Sequence, residues 1–126
     1  MDKGPANARA KALAAAHVLL DMADGTLLQE EAGTRLRTEF GLHWSALTCV
    51  QYLSGKDAVA ALAALPGEWS EQGRTKSDLL QAVVMALAIV REARGSRGGK
   101  VSASKLSLRL QEVRAAAVGQ PPGVEP

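Results

Sequence analysis

Apolar and polar positions follow a helical period along most of the chain, and capping residues cut that pattern into segments. A first, Ala-rich helix is predicted from about Ala6 to Ala23, closed by Asp24-Gly25, where glycine accepts the left-handed C′ conformation. Thr26 is followed three residues later by Gln29, the pairing of a capping box, and Glu30-Glu31 fall where the helix dipole favours negative charge. In that second helix Leu28, Ala32, Leu36 and Phe40 recur every four residues and predict one buried stripe ended by Gly41. Ser45 reads as the cap of a third helix carrying Leu47, Val50 and Leu53 before Ser54-Gly55. A fourth, short helix covers Lys56 to Leu65 and stops at Pro66. The segment PGEWSEQGR (66–74) reads as a loop, with Trp69 folding back over the core.

Thr75 and Asp78 form a second box-like cap that opens a long helix, Lys76 to Arg94. Leu80, Val83, Val84, Leu87 and Val90 predict a broad apolar face. Leu79, Ala82, Ala86 and Ala88 leave the other side nearly apolar too, which predicts that the other helices surround this one. GSRGG (95–99) breaks the pattern. Beyond it Leu106, Leu110, Val113 and Ala117 keep helical spacing, while LSLRL (106–110) also alternates like a strand. The QEVRAAA continuation favours a helix over a two-stranded wing. The expected organisation is a frayed start (1–5), one helical domain (6–118) and a disordered tail (119–126). No fixed-period repeat is present. The fold class expected is all-α, a compact bundle of five to six helices around a central apolar helix at about 76–94.

Composition sharpens this picture. The 126 residues include 23 Ala, 17 Leu and 10 Val, against one Ile and four aromatics. Ala and Leu head the helix scale and β-branched and aromatic residues are scarce, which excludes an all-β fold. So many alanines also make a core that buries little area per residue and packs backbones close together. The longest apolar run, Leu79 to Val90, is too short to span a bilayer. The N-terminal apolar stretch is cut by Asp21 and matches a signal peptide poorly. A cytoplasmic, reducing setting and no membrane partner are therefore expected. A single Asn and a single Ile beside abundant Ala and Arg associate the chain with a GC-rich bacterial, phage or plasmid genome.

Candidate chemistry is sparse. Cys49 is the only cysteine, so neither an intrachain disulfide nor a thiolate metal cage can form. GSRGGKVS lacks the phosphate-loop spacing: Gly95 stands four residues before Gly99, and Val101 replaces the hydroxyl that would hold a cation. His17 and Asp21 lie four apart on one helix face, a geometry for a dyad or, more simply, for a helix-surface hydrogen bond, with no nucleophile near in sequence. His43 falls in a connection and reads as a helix-end cap. No catalytic residue, metal site or cofactor is expected, and the chain reads as a non-enzyme.

Residues 36–53 (LRTEFGLHWSALTCVQYL) carry a different suggestion. Leu36, Phe40, Gly41, Leu42, Leu47 and Val50 fall where a helix-turn-helix unit needs its anchors and its turn, so the segment resembles that pattern in small bacterial regulators. It departs at Arg37, where a small residue usually permits close packing. The outward residues Ser45, Thr48, Gln51 and Tyr52 include no Lys or Arg, although Ser, Thr and Gln can read base edges.

Charge is segregated. Between Arg91 and Arg114 lie Arg91, Arg94, Arg97, Lys100, Lys105, Arg109 and Arg114 against Glu92 and Glu112, while the whole chain carries a formal +2. A basic, glycine-interrupted segment (91–109) suits phosphates, and it suits an acidic protein equally. Trp44 and Tyr52 are candidate interface residues. The Ala-rich faces of the first and fourth helices make a homodimer credible. The resulting expectation is a small regulator that binds DNA through residues 36–53 and 91–109. The alternative is an adaptor or anti-activator that binds another protein and never touches nucleic acid.

Overall fold

The computed structural model describes residues 8–94 and 106–118. Six helices, α1 (Ala8–Ala23), α2 (Gln29–Phe40), α3 (Ala46–Leu53), α4 (Lys56–Ala63), α5 (Lys76–Arg94) and α6 (Leu106–Val118), pack around one buried apolar cluster. A two-residue-per-strand hairpin, β1 (Ser70–Glu71) and β2 (Arg74–Thr75), sits between α4 and α5. The fold is the expected all-α bundle. LSLRL (106–110), which also alternates like a strand, is helix, the first turns of α6. The expected frayed start, the 95–99 break and the tail beyond 118 lie outside the described residues.

The helix at the centre is α1 rather than α5. Ala12, Ala14 to Leu20, Met22 and Ala23 are all buried, and α1 packs against each of the other five helices. Small side chains explain the choice, because interaxial distance follows the side chains at the contact and alanine lets neighbouring backbones come in on several sides. The same rule decides which side of α5 turns inward. Its buried residues are Leu79, Ala82, Val83, Met85, Ala86, Ile89 and Ala93. Val84 and Leu87, expected inside, are 52% and 36% exposed, and Leu80 and Val90 are only partly covered. The side carrying Ala82, Ala86 and Ala93 is the inner one.

Local signals held with one relocation. Helix α1 closes as expected at Gly25 (φ +82°), with Gly25 N–H donating to the Met22 carbonyl at 3.1 Å. Thr26 completes that closure instead of opening α2: its N–H and hydroxyl both donate to the Asp21 carbonyl, at 2.9 and 3.1 Å. The paired bonds are those of a Schellman ending. Leu28 is therefore the N-cap of α2, its N–H donating to the Glu31 carboxylate at 3.3 Å. Placed there, Leu28 is exposed, so the expected four-residue stripe shrinks to Ala32 and Leu36, with Phe40 half-buried.

Ser45 caps α3 as expected, its hydroxyl accepting from Thr48 N–H at 3.2 Å. Thr75 and Asp78 cap α5 reciprocally: Thr75 N–H donates to the Asp78 carboxylate at 2.8 Å and Asp78 N–H to the Thr75 hydroxyl at 3.3 Å. Helix α4 ends at Ala63, two residues before the expected stop, and the chain just past it is held by Lys76 Nζ donating to the Leu65 carbonyl at 2.8 Å.

The 66–74 stretch is not a plain loop. Gln72 (φ +55°) and Gly73 (φ +79°) give the two positive-φ positions of a tight hairpin turn, pairing Ser70 with Thr75 and Glu71 with Arg74. Trp69 does fold back, half-buried against the core.

Candidate functional site

Helices α2 and α3 bring the helix-turn-helix candidate into view. Leu36, Leu42 and Val50 are buried, and Phe40 and Leu47 are half-buried. The connection runs over residues 41–45, and α3 leans chiefly on α1 and α5 while touching α2 little. Ser45 and Thr48 spend their hydroxyls on each other, 3.1 Å apart, and on the cap. Gln51 is exposed. Tyr52, expected to face outward, turns in: its hydroxyl donates to the Ala8 carbonyl at 3.4 Å, and its ring lies 5.1 Å from that of Trp44. Burial, then the nearby Asp57 carboxylate, pushes the Tyr52 phenol up. Both aromatics fill space beside the core, as gap-fillers in an Ala-rich bundle do. Among the described residues no hydrogen bond or ion pair joins Ser45, Thr48 or Gln51 to a basic side chain.

The basic residues divide. Arg109 donates to Glu92 from Nε at 3.0 Å and from Nη2 at 2.5 Å, and also contacts Glu112. These carboxylates hold its guanidinium even more firmly charged than usual. Arg114 lies 3.2 Å from Asp24. Arg91 and Arg94 are exposed, and no carboxylate among the described residues pairs with either. Arg97, Lys100 and Lys105 lie outside the described residues.

Arg91 and Arg94 continue a stripe. Ser77, Leu80, Val84, Leu87, Arg91 and Arg94 are spaced by alternating steps of three and four, which keeps them on one line along the outer side of α5. Apolar side chains occupy its middle and exposed cations its end. Ala88 beside it is half-buried.

The sequence pointed to His17 and Asp21 of a second polar centre but not to its arginines. Asp21 of α1 accepts from Arg74 Nη2 at 2.8 Å and pairs with Arg35 of α2, while Arg74 also reaches Asp24 at 3.2 Å. His17 is not a surface residue. It is 4% exposed, and its Nδ1 faces Arg74 Nη1 at 3.4 Å instead of bonding Asp21. Facing a group that only donates, Nδ1 accepts and the ring proton sits on Nε2, which has no partner among the described residues. Burial first, and then the Arg74 charge, pull the His17 pKa below 6.5, and Glu71 and Asp21 oppose this only in part. These groups tie α1 to α2, the hairpin and α6. They form a structural junction without a nucleophile.

The sign of the His17 effect gives a pH prediction. The folded chain refuses a proton that the unfolded chain accepts near pH 6.5, so this contribution is intact above that pH and is lost as pH falls through it. Urea titrations from pH 8 to 5 should show falling stability in the native chain and a flatter profile in His17→Gln. Parallel profiles would contradict a neutral His17.

Between α2, the 41–45 connection and the start of α6 lies an open groove of about 540 Å³, lined by Glu30, Arg37, Trp44, Leu47 and Leu106 among others. Cys49 is buried and its thiol is pushed up to about 12, so it stays protonated at neutral pH. No group of three or more metal-binding side chains occurs among the described residues, and no helix there is long and apolar enough to cross a membrane. Against these features, no protein-family model, curated protein or solved structure matches the chain.

Proposed function

We propose that the chain is a non-enzymatic interaction module that docks another protein along the outer side of α5. The observation that carries this reading is the stripe itself: Val84 and Leu87 face solvent next to half-buried Leu80, and the exposed Arg91 and Arg94, without a carboxylate partner among the described residues, extend the line. Large apolar side chains in a row beside desolvatable arginines are the ingredients of a protein interface. DNA binding through α3 has less support. That helix carries no Lys or Arg, the Ser45 and Thr48 hydroxyls are engaged, and Arg109 and Arg114 already meet carboxylates.

The double substitution Val84→Glu/Leu87→Glu separates the two readings. Both residues lie on the surface, so thermal unfolding should shift little. A complex isolated from lysate with the wild-type protein and identified by mass spectrometry should be lost with the variant. Retention on a DNA column should be weak at physiological salt for both proteins. Tight, steeply salt-dependent DNA retention, unchanged by the substitutions, would return the function to nucleic acid.

A further inference from the structure

We infer that the element docked on this face is an amphipathic helix whose apolar seam runs on into carboxylates. The inference rests on the docking role proposed for α5 and adds the chemistry of the partner. The three-four spacing of Ser77, Leu80, Val84, Leu87, Arg91 and Arg94 is that of a seam which receives a second helix knobs-into-holes. An extended peptide has no purchase here, because strand addition needs free backbone donors and acceptors and those of α5 are used within the helix. Ala88, small and half-buried at the seam's edge, lets an incoming backbone approach closely.

Charge fixes the rest. A helix laid over Leu80, Val84 and Leu87 also covers Arg91 and Arg94 and takes water from them. The nearest carboxylate on α5, Glu92, is bound to Arg109 and cannot compensate. The compensating carboxylates must come with the partner, where the arginine forks can accept them in paired bonds. Arg91 and Arg94 lie one to two turns past Leu87, about 6–10 Å along the axis. The partner's seam therefore carries its acidic residues at that distance beyond its last apolar position, which also fixes the direction in which it docks.

The test uses the 126-residue chain and two synthetic helical peptides of identical composition, each about 18 residues long so that helix is accessible. Both carry leucines at alternating three- and four-residue steps. In one the seam continues into two glutamates; in the other those glutamates sit on the opposite side.

The first peptide should bind about tenfold more tightly, the scale of one desolvated ion pair. Arg91→Ala/Arg94→Ala should erase that ratio while leaving the leucine-dependent binding, and Val84→Glu/Leu87→Glu should abolish both. Equal affinities, or no binding by either peptide, overturn the inference. If the peptides fail while the cellular complex still depends on Val84 and Leu87, the docking face stands and only the helical acidic partner falls. Self-association in sedimentation runs that disappears in Val84→Glu/Leu87→Glu also overturns it, since the occupant is then a second copy of this chain.

Discussion

Ala15→Leu is expected to destabilise the protein by about 2–3 kcal/mol, the scale of overpacking in a close-packed core. Ala14, Ala15 and Ala16 are consecutive and essentially inaccessible. Successive helix residues point about 100° apart, so three in a row without exposure mean that α1 is enclosed over well over half its circumference. Leucine at Ala15 must push a neighbouring helix outward, and the displacement is felt by every helix that rests on α1. Ala60→Leu on the exposed side of α4 is the control and should stay within about 0.5 kcal/mol. Urea midpoints with unchanged slopes measure both. Similar shifts for the two substitutions would mean that α1 is loosely held.

Asp21→Asn is expected to cost about 2 kcal/mol, between the small effect of an exposed pair and the 3–5 kcal/mol of a fully buried one. The Asp21 and Arg74 side chains are each 18% exposed, which places the junction between those limits. Asparagine leaves the guanidinium groups of Arg35 and Arg74 close together, facing only Glu39 at 3.6 Å and Asp24 at 3.2 Å. Much of the cost is thus a stranded charge rather than a lost attraction. Adding Arg74→Met to Asp21→Asn should accordingly recover part of the loss, a sub-additivity that a double-mutant cycle reads directly. Additive costs would show that the two residues act independently.

Helix content and most boundaries were legible because capping chemistry is local: Gly25, Ser45 and the Thr75–Asp78 pair did what their types do. Thr26 was misplaced because a hydroxyl before a helix and one after the preceding helix look alike when the connection is this short. The inner side of α5 could not be read from hydropathy, since Val84 and Val83 are the same residue type. Only the alanines at 82, 86 and 93 marked the buried side. The Gln72-Gly73 turn escaped because Gln is not a usual positive-φ residue. The Asp21–Arg35–Arg74 junction joins residues 14 and 53 positions apart, a separation that no periodicity reports. Of the candidate site, Arg91 and Arg94 were legible as charge. That Arg109 is already matched by Glu92 depends on α5 and α6 lying side by side.

An enclosed helix has a problem that a surface helix does not. From Ala14 to Leu20, past the exposed Arg9 and half-buried Lys11 of its first turns, α1 has no water-facing position to say how it should be turned about its own axis, and a rotation there exchanges one small apolar contact for another. The carboxylate of Asp21, clasped by two arginines from different parts of the chain, supplies that missing instruction. The junction at the end of α1 thereby acts as a rotational pin, giving a soft, alanine-built interior one azimuth out of several near-equivalent ones.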